Sequence, residues 1–181
     1  MNDGLAVMVA VVLGLGANPP TQPKPSQAKA GEEHMQLTSS AFGEGAMIPV
    51  RFTCDGENRP PPLHWSEPPR GTQSLALVVD DPDAPRGTWR HWAVFDIPAS
   101  ARDLDGEGPL YEARNDFGQA GYGGPCPPRH DRPHHYRFRL FALDVPRLAI
   151  GTAPTAADVE RAMKAHVIAE ARLTGLYQRK Q

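Results

Sequence analysis

The sequence predicts a mainly β fold. The chain has 20 prolines and 17 glycines among its 181 residues. Most of them separate short apolar runs, which is typical of a β-rich domain with long connections. The clearest run, from His135 to Val145, alternates polar and apolar side chains with the two-residue period of a strand. The length of the chain is sufficient for one domain with a sizeable core.

The first 34 residues differ from the rest in composition. Residues 5–17 are apolar but too few to span a bilayer comfortably, and residues 18–33 are rich in Pro, Gln, Lys and Ala without periodicity. We interpret residues 1–17 as a signal peptide and residues 18–34 as a disordered linker, although no Lys or Arg precedes the apolar stretch. The folded domain is then residues 35–181, and we expect a periplasmic or secreted protein, or a cytoplasmic one if no signal peptide is present.

The apolar runs of the first half predict four strands. They are residues 46–54, 63–65, 75–79 and 91–97, and the last two form the central pair. Residues 105–124 are expected to form a long glycine-rich connection with little regular structure. Connections of that length inside a compact domain are often functional.

The C-terminal segment changes to a helical period. Thr155 can cap a helix, and Asp158, three residues later, can complete a capping box. An apolar stripe with helical spacing follows, at Val159, Met163 and Val167. Gly175 can end the helix. We therefore expect one C-terminal α-helix over these residues.

Two aspartates stand where a predicted strand ends. Asp81 and Asp83 follow an apolar run, and Pro82, which has no N–H group, stops the pairing of that strand. Shortly afterwards Trp89 and His91 lead into the next apolar run. We expect acidic, aromatic and imidazole groups at neighbouring strand ends, where binding groups are commonly held.

A glycine–proline loop, Gly-Tyr-Gly-Gly-Pro-Cys-Pro-Pro at residues 121–128, precedes the clearest strand. Glycine N–H groups can point into a cavity unobstructed by a Cβ atom, so this loop could form an anion-binding nest. No Lys-Ser/Thr pair follows, so it is not a nucleotide phosphate loop. Strand alternation places His134 on the face of Tyr136 and His135 on the opposite face, so His134 is expected to face a pocket.

These residue types suit a phosphorylated zwitterion. Imidazole, phenol and turn N–H groups can donate hydrogen bonds to a phosphate monoester or diester. Asp81 and Asp83 would repel an anion, but they suit an ammonium group on the same ligand. They could also orient the imidazoles and keep them protonated.

Other classes of function are weakly supported. The formal net charge of −2, without a basic stripe, argues against a nucleic-acid partner. Two imidazoles and a carboxylate suit iron or zinc, but the tight spacings of common metal sites are missing. No Gly-x-Ser-x-Gly motif is present, and Cys126, between prolines, is a weak candidate for a thiol nucleophile. Cys54 and Cys126 form either one disulfide or two separate thiols.

Several motifs together resemble the phosphatidylethanolamine-binding proteins, in particular the bacterial branch often described as Raf-kinase-inhibitor-like. The resemblance extends from about Met35 to the C-terminus. The motifs, in chain order, are TCDGEN at 53–58, DPDAP at 81–85, WRHW at 89–92, YGGPCPP at 122–128, HHYRF at 134–138 and HVIAEARLTG at 166–175. One departure is His135, since the family often carries Arg at that place.

The resemblance implies a β-sandwich with peripheral helices and one small anion-binding cavity, without a cofactor and without catalytic activity. The ligand would carry a phosphate, as a phospholipid head group does. The implied ligand-binding residues are Asp81, Asp83, Pro85, Trp89, His91, Gly123, Gly124, Pro125, His134 and Tyr136. Two alternatives stay open: an inhibitor that acts on a kinase or protease through its surface, and a metal- or thiol-dependent hydrolase.

Overall fold

The computed structural model describes Met1 and residues 34–104 and 110–179. The predicted signal peptide and linker, residues 1–17 and 18–34, lie outside the described residues except for Met1 and His34. Within the described part of the chain there are seven strands, arranged in two sheets, and one α-helix near the C-terminus. The predicted mainly β fold is confirmed.

The main sheet has five antiparallel strands. Its central strand is β3 (Ser74–Asp81), which pairs with β4 (Trp89–Pro98) on one side and with β6 (His134–Leu143) on the other. The outer strands are β5 (Tyr111–Glu112), next to β4, and β7 (Val167–Tyr177), next to β6. All eight residues of β3 are buried, as expected for a strand covered on both faces.

The two faces of the main sheet carry different layers. Leu75, Leu77 and Val79 of β3 share one apolar core with the small sheet, which consists of β1 (Leu37–Thr38) and β2 (His64–Trp65). The alternate side chains of β3 point to the other face and pack in a second core with the helix α1 (Ala156–Met163). The two-residue period of β3 therefore separates the two cores.

Asp80 belongs to the helix side of the sheet. It is fully buried and forms ion pairs with Arg137 and Arg139 of β6. Glu160 of α1 lies 2.6 Å from the guanidinium of Arg139 and 2.5 Å from that of Arg90. These pairs connect three strands to the helix, and they compensate for the burial of the Asp80 charge.

The predicted strand at residues 46–54 is wrong. Val50–Phe52 form a 3-10 helix, and Met47 makes only an isolated bridge to Leu176 of β7. The N–H group of Phe52 donates to the carbonyl of Pro49, so the chain turns directly after the proline. Local turn hydrogen bonds thus replace the pairing that an apolar run suggested.

The predicted C-terminal helix has the right start and the wrong end. Thr155 and Asp158 form the expected capping box. The helix stops at Met163, and residues 167–177 form β7, which pairs with the whole of β6. Gly175 lies inside this strand, where a Cβ atom would be 2.5 Å from Cγ1 of Ile48. Pairing with β6 therefore overrides the helical spacing of the apolar residues.

The predicted loop at residues 105–124 contains the edge strand β5, and residues 105–109 lie outside the described residues. Asn115 organises the part of the loop that follows. Its side-chain oxygen accepts from the N–H groups of Phe117 and Gln119, and its side-chain nitrogen donates to the carbonyl of Gly121. One buried amide therefore fixes the position of Phe117 beside β4.

Candidate functional site

The site begins where β3 ends. Asp81 is the last residue of the strand, and its Oδ1 atom accepts a hydrogen bond of 2.8 Å from the N–H group of Asp83. This side-chain bond forms a tight turn around Pro82. The carboxylate of Asp81 is held at the strand end, as the sequence predicted.

A buried imidazole lies next to that carboxylate. Nδ1 of His134 is 2.7 Å from Oδ2 of Asp81, and Nε2 is 3.3 Å from Oδ2 of Asp131. The ring is 1% exposed. Burial lowers the pKa of His134, but the hydrogen bonds to Asp81 and Asp131 outweigh it and hold the pKa above the ordinary histidine value. The three groups form a carboxylate–imidazolium–carboxylate chain.

His91 has the opposite electrostatic character. Its Nδ1 lies 2.7 Å from the carbonyl oxygen of Gly123, which can only accept, so Nδ1 carries the proton. Burial lowers the pKa of His91, and the nearby Asp81 carboxylate does not fully compensate. His91 is therefore a neutral imidazole at neutral pH, and Nε2 is the nitrogen left for a ligand.

Aromatic rings surround His91. Tyr136 packs edge-on against it with ring centroids 5.2 Å apart, and Phe117 does so at 5.3 Å. Phe117 also meets Trp89 at 5.4 Å. The indole N–H group of Trp89 is buried and has no hydrogen-bond partner among the described residues. Burial and the nearby Asp81 charge raise the pKa of Tyr136, so its phenol stays neutral.

These groups line a cavity of about 300 Å³ at the ends of β3, β4 and β6. Five of the predicted ligand-binding residues line it: Asp81, Pro85, Trp89, His91 and His134. The structure adds six that the prediction lacked: Ala84, Arg86, Phe117, Cys126, Pro127 and Pro128. Tyr136 is fully buried beneath the cavity, and does not line it.

Asp83 does not face the cavity. Its carboxylate accepts from the N–H group and from Nδ1 of His135, at 2.9 and 2.7 Å, and from Arg132 at 2.9 Å. Burial opposes these contacts, which nevertheless lower the pKa of Asp83. Asp83 thus connects its turn to the start of β6 through His135 and Arg132.

Gly123 and Gly124 do not offer their N–H groups to the cavity. The N–H of Gly123 donates to the carbonyl of His91 at 2.9 Å, and that of Gly124 donates to Oδ1 of Asn58 at 2.8 Å. The N–H groups of Gly123 and Gly124 are therefore not available to an anion-binding nest. A Cβ atom on residue 123 would lie 2.6 Å from the Phe117 ring, so this glycine permits close packing.

A disulfide joins Cys54 to Cys126 next to the cavity. It connects the loop after the 3-10 helix to the loop at residues 121–128. Pro125 is buried in that second loop and accepts a hydrogen bond from the N–H group of Cys54. The bridge and this hydrogen bond hold one wall of the cavity in place.

Sequence reasoning missed Arg86, Phe117 and Asp131. Arg86 directly follows the DPDAP motif, so its place near the site could have been predicted from the sequence. An isolated arginine, however, carries no specific signal of a binding role. Phe117 lies in the long loop, and only the fold brings it to His91. Asp131 stands three residues before His134, and its role depends on the turn at residues 128–131.

The described residues contain no group of three or more His, Cys, Asp or Glu side chains that could hold a metal ion. No helix among them is both long enough and apolar enough to cross a bilayer.

Comparison with known proteins adds independent information. Residues 38–178 match the family described as phosphatidylethanolamine-binding protein. A UPF0098 protein of Aquifex aeolicus is 43% identical over 157 residues, which are 83% of this chain and 92% of the relative. LppC of Mycobacterium tuberculosis, provisionally named a lipoprotein, is 40% identical over 97% of this chain and 93% of its own length.

Solved structures agree with the fold described above. YbcL of E. coli superimposes with a TM-score of 0.75 at 36% identity, covering 81% of this chain and 99% of YbcL. A homologue of phosphatidylethanolamine-binding protein from Chlamydia trachomatis gives a TM-score of 0.73 at 38% identity, with the same coverage.

Proposed function

Because this chain belongs to the phosphatidylethanolamine-binding protein family, we propose that its cavity binds a small phosphate-bearing ligand such as a phospholipid head group. The carboxylate–imidazolium–carboxylate chain of Asp81, His134 and Asp131 is the observation that carries the proposal. It holds the His134 imidazolium at the wall of a cavity whose other lining groups are Asp81, Arg86, His91, prolines, aromatic rings, Ala84 and Cys126. The apolar part of the lining lowers the local dielectric constant, which strengthens the attraction between a bound anion and the imidazolium.

The contact between Asp131 and His134 supports a position for the phosphate next to Nε2 of His134. Its carboxylate lies 3.3 Å from Nε2 of His134, a long contact, and its side chain is 40% exposed. A phosphoryl oxygen can replace this carboxylate at Nε2, because both groups are anionic acceptors. Arg86, which also lines the cavity, adds a second positive charge.

The rest of the cavity suits the other end of a zwitterion. Asp81 faces the cavity and would repel a second anion, but it attracts an ammonium group. The neutral His91 can accept a hydrogen bond at Nε2 from the same ammonium group. A ligand that carries both a phosphate and an amine therefore satisfies all the charges of the cavity.

Titration calorimetry with phosphoethanolamine tests this proposal, with inorganic phosphate and ethanolamine as the separate halves. Phosphoethanolamine should bind more tightly than either half. Asp131→Asn should strengthen its binding at pH 6 by about threefold or more, since a competing carboxylate is removed while Asp81 still holds the imidazolium. Asp144→Asn, which alters a carboxylate paired with His166, is the control and should leave binding unchanged.

Two outcomes would contradict the proposal in different ways. If phosphoethanolamine does not bind to the wild-type protein, the proposed function is wrong. If it binds and Asp131→Asn weakens the binding, the phosphate does not take the place of the Asp131 carboxylate.

We also propose that the protein works outside the cytoplasm. A disulfide between Cys54 and Cys126 is typical of an oxidising compartment, and the provisional lipoprotein name of LppC agrees with export of that relative. Cell fractionation of the native host checks this, and recovery from the cytoplasm with free thiols would contradict it.

A further inference from the structure

The two edges of the main sheet differ in length. β5 forms one edge with 2 residues, whereas β7 forms the other with 11. The last part of β7 is covered on its outer side, where Gly45 donates to the carbonyl of Thr174 at 2.8 Å and Ile48 donates to that of Leu176 at 2.7 Å. Residues 168–173 form no such backbone hydrogen bond to another described residue on that side. A long open edge is a surface onto which another strand can pair.

The direction of the backbone groups shows which residues face out of this edge. Thr174 directs its N–H group to the Glu44 carboxylate and accepts at its carbonyl from Gly45, on the side away from β6. The pairing of β6 with β7 continues through the open part of the edge without a register shift. Because the direction of N–H and C=O alternates along a strand, Glu170 and Arg172 also direct theirs outward.

The side chains at the open edge carry opposite charges. Glu170 and Arg172 lie on the same face of β7 and form an ion pair of 2.9 Å, with side chains that are 31% and 58% exposed. Charges of one sign on an edge would repel a second copy of the same edge. Here a reversed strand exchanges the two positions, so a second copy in antiparallel orientation presents an arginine to each glutamate.

These charges select one register for pairing between two copies. When Glu170 lies opposite Arg172 of the second copy, each facing pair exchanges both of its backbone hydrogen bonds. A slip of one residue places outward N–H groups opposite inward ones, and the hydrogen bonds are lost. A slip of two residues places glutamate opposite glutamate or arginine opposite arginine, and like charges directly opposite are destabilising.

A cavity of about 500 Å³ lies beside this edge, between β7 and the segment at residues 37–44. Thr174 is among the residues that line it. In the selected register, Ile168 of the second copy lies opposite Thr174 and is therefore brought next to the cavity. Val167 and Ile168 are apolar and are 38% and 42% exposed, so an approach of this kind would remove apolar surface from water.

We propose that the open edge of β7 is an interface between two copies of this chain, which pair antiparallel around Ala171 and join their main sheets. The inference goes beyond the proposed function. The cavity beside β7 and the cavity at the ends of β3, β4 and β6 have no lining residue in common.

Sedimentation equilibrium of the purified full-length protein tests this interface. The wild-type protein should form a dimer whose fraction rises with concentration. Arg172→Glu and Glu170→Arg each place like charges opposite each other and should weaken dimerisation by about tenfold or more. An equimolar mixture of these two variants should form heterodimers, because every facing pair then has opposite charges. Arg161→Glu, on α1 with a side chain 75% exposed, is the control and should dimerise like the wild-type protein.

Hydrogen exchange at low and high protein concentration locates the interface. The amides of Glu170 and Arg172 should become protected as the dimer forms, and circular dichroism checks that each variant folds. A monomer at every concentration overturns the inference, as does a dimer that persists in both charge variants or a mixture of them that does not associate. Protection of these amides in a monomer also overturns it, because a different strand then covers the edge. None of these results depends on whether phosphoethanolamine binds.

Discussion

Two buried histidines line the same cavity, and their surroundings shift their pKa values in opposite directions. His134 lies between two carboxylates, which raise its pKa. His91 bonds to a backbone carbonyl, and burial lowers its pKa. Sequence reasoning treated both as equivalent donors to phosphate. The difference arises from Asp131 and Gly123, and these partners are brought to the rings only by the folded loops.

His91→Asn should weaken phosphoethanolamine binding by about 1 kcal/mol, the scale of one hydrogen bond. The Asn side chain can still donate to the carbonyl of Gly123, so the substitution removes Nε2 and keeps the structural contact. His166→Asn, at a histidine paired with Asp144, is the control. Calorimetry of both variants measures the effect, and wild-type affinity in His91→Asn would show that this ring does not contact the ligand.

The stability of the protein should depend on pH through His134. Its folded pKa is above the ordinary value of 6.5, so its contribution to the free energy of unfolding is complete below pH 6.5. That contribution is lost as pH rises through the raised pKa. His91 acts in the opposite sense, since its lowered pKa gives stability that is lost as pH falls through that pKa.

Urea unfolding of the wild-type protein and of His134→Gln from pH 6 to pH 9 isolates this contribution. At pH 6 the free energy of unfolding should be higher for the wild-type protein than for His134→Gln. The difference between the two proteins should become smaller as pH rises. A constant difference would mean that His134 is not preferentially protonated in the folded state.

At the scale of secondary structure, β3, β4 and β6 could be predicted because their signals are local. Each is a run of apolar or alternating residues, and Pro82 marks the end of β3. β7 was missed, although Ala171, Leu173, Gly175 and Tyr177 are buried on one face and alternate with more exposed residues, two of which, Arg172 and Thr174, are polar. The helical spacing of the preceding residues concealed this period. Pairing with β6, which is a long-range contact, determines that residues 167–177 form a strand and not a helix.

Gly175→Ala should destabilise the protein by about 1–3 kcal/mol, the usual cost of overpacking. A Cβ atom there would lie 2.5 Å from Ile48 and 2.8 Å from Phe42. Gly151→Ala is the matched control, since nothing lies within 4 Å of a Cβ atom at that position. Thermal unfolding compares the two variants, and similar melting temperatures would mean that Ile48 and Phe42 shift to admit the methyl group.

Across the whole molecule, the disulfide between Cys54 and Cys126 spans 72 residues of sequence and closes the loop that contains β2, β3, β4 and β5. The cysteines could be identified from the sequence as candidates for a bridge, but their proximity depends on how the sheet folds. One of the two cysteines, Cys126, lines the cavity at the ends of β3, β4 and β6. The bridge therefore stabilises both the fold and the candidate site.

Replacing both cysteines by serine should lower the free energy of unfolding by about 2–4 kcal/mol, because the unfolded chain gains conformational freedom. Urea unfolding of the oxidised protein and of the double variant measures the loss. The variant should also bind phosphoethanolamine less tightly, since Cys126 lines the cavity at the ends of β3, β4 and β6. Equal stability of the two proteins would show that the folded loops are held together without the bridge.

The alternation of Asp80 and Asp81 has a consequence for how the chain tolerates changes in length. The Asp80 carboxylate pairs with arginines on the helix side of the sheet. The Asp81 carboxylate pairs with His134, which lines the cavity at the ends of β3, β4 and β6. Deleting a single residue within β3 would exchange these surroundings and leave each acid facing the wrong partners. The same deletion at residues 87–88, between β3 and β4 and outside the cavity lining, would only shorten a turn. Insertions and deletions that preserve folding are therefore expected in the connections of this protein and not in its central strand.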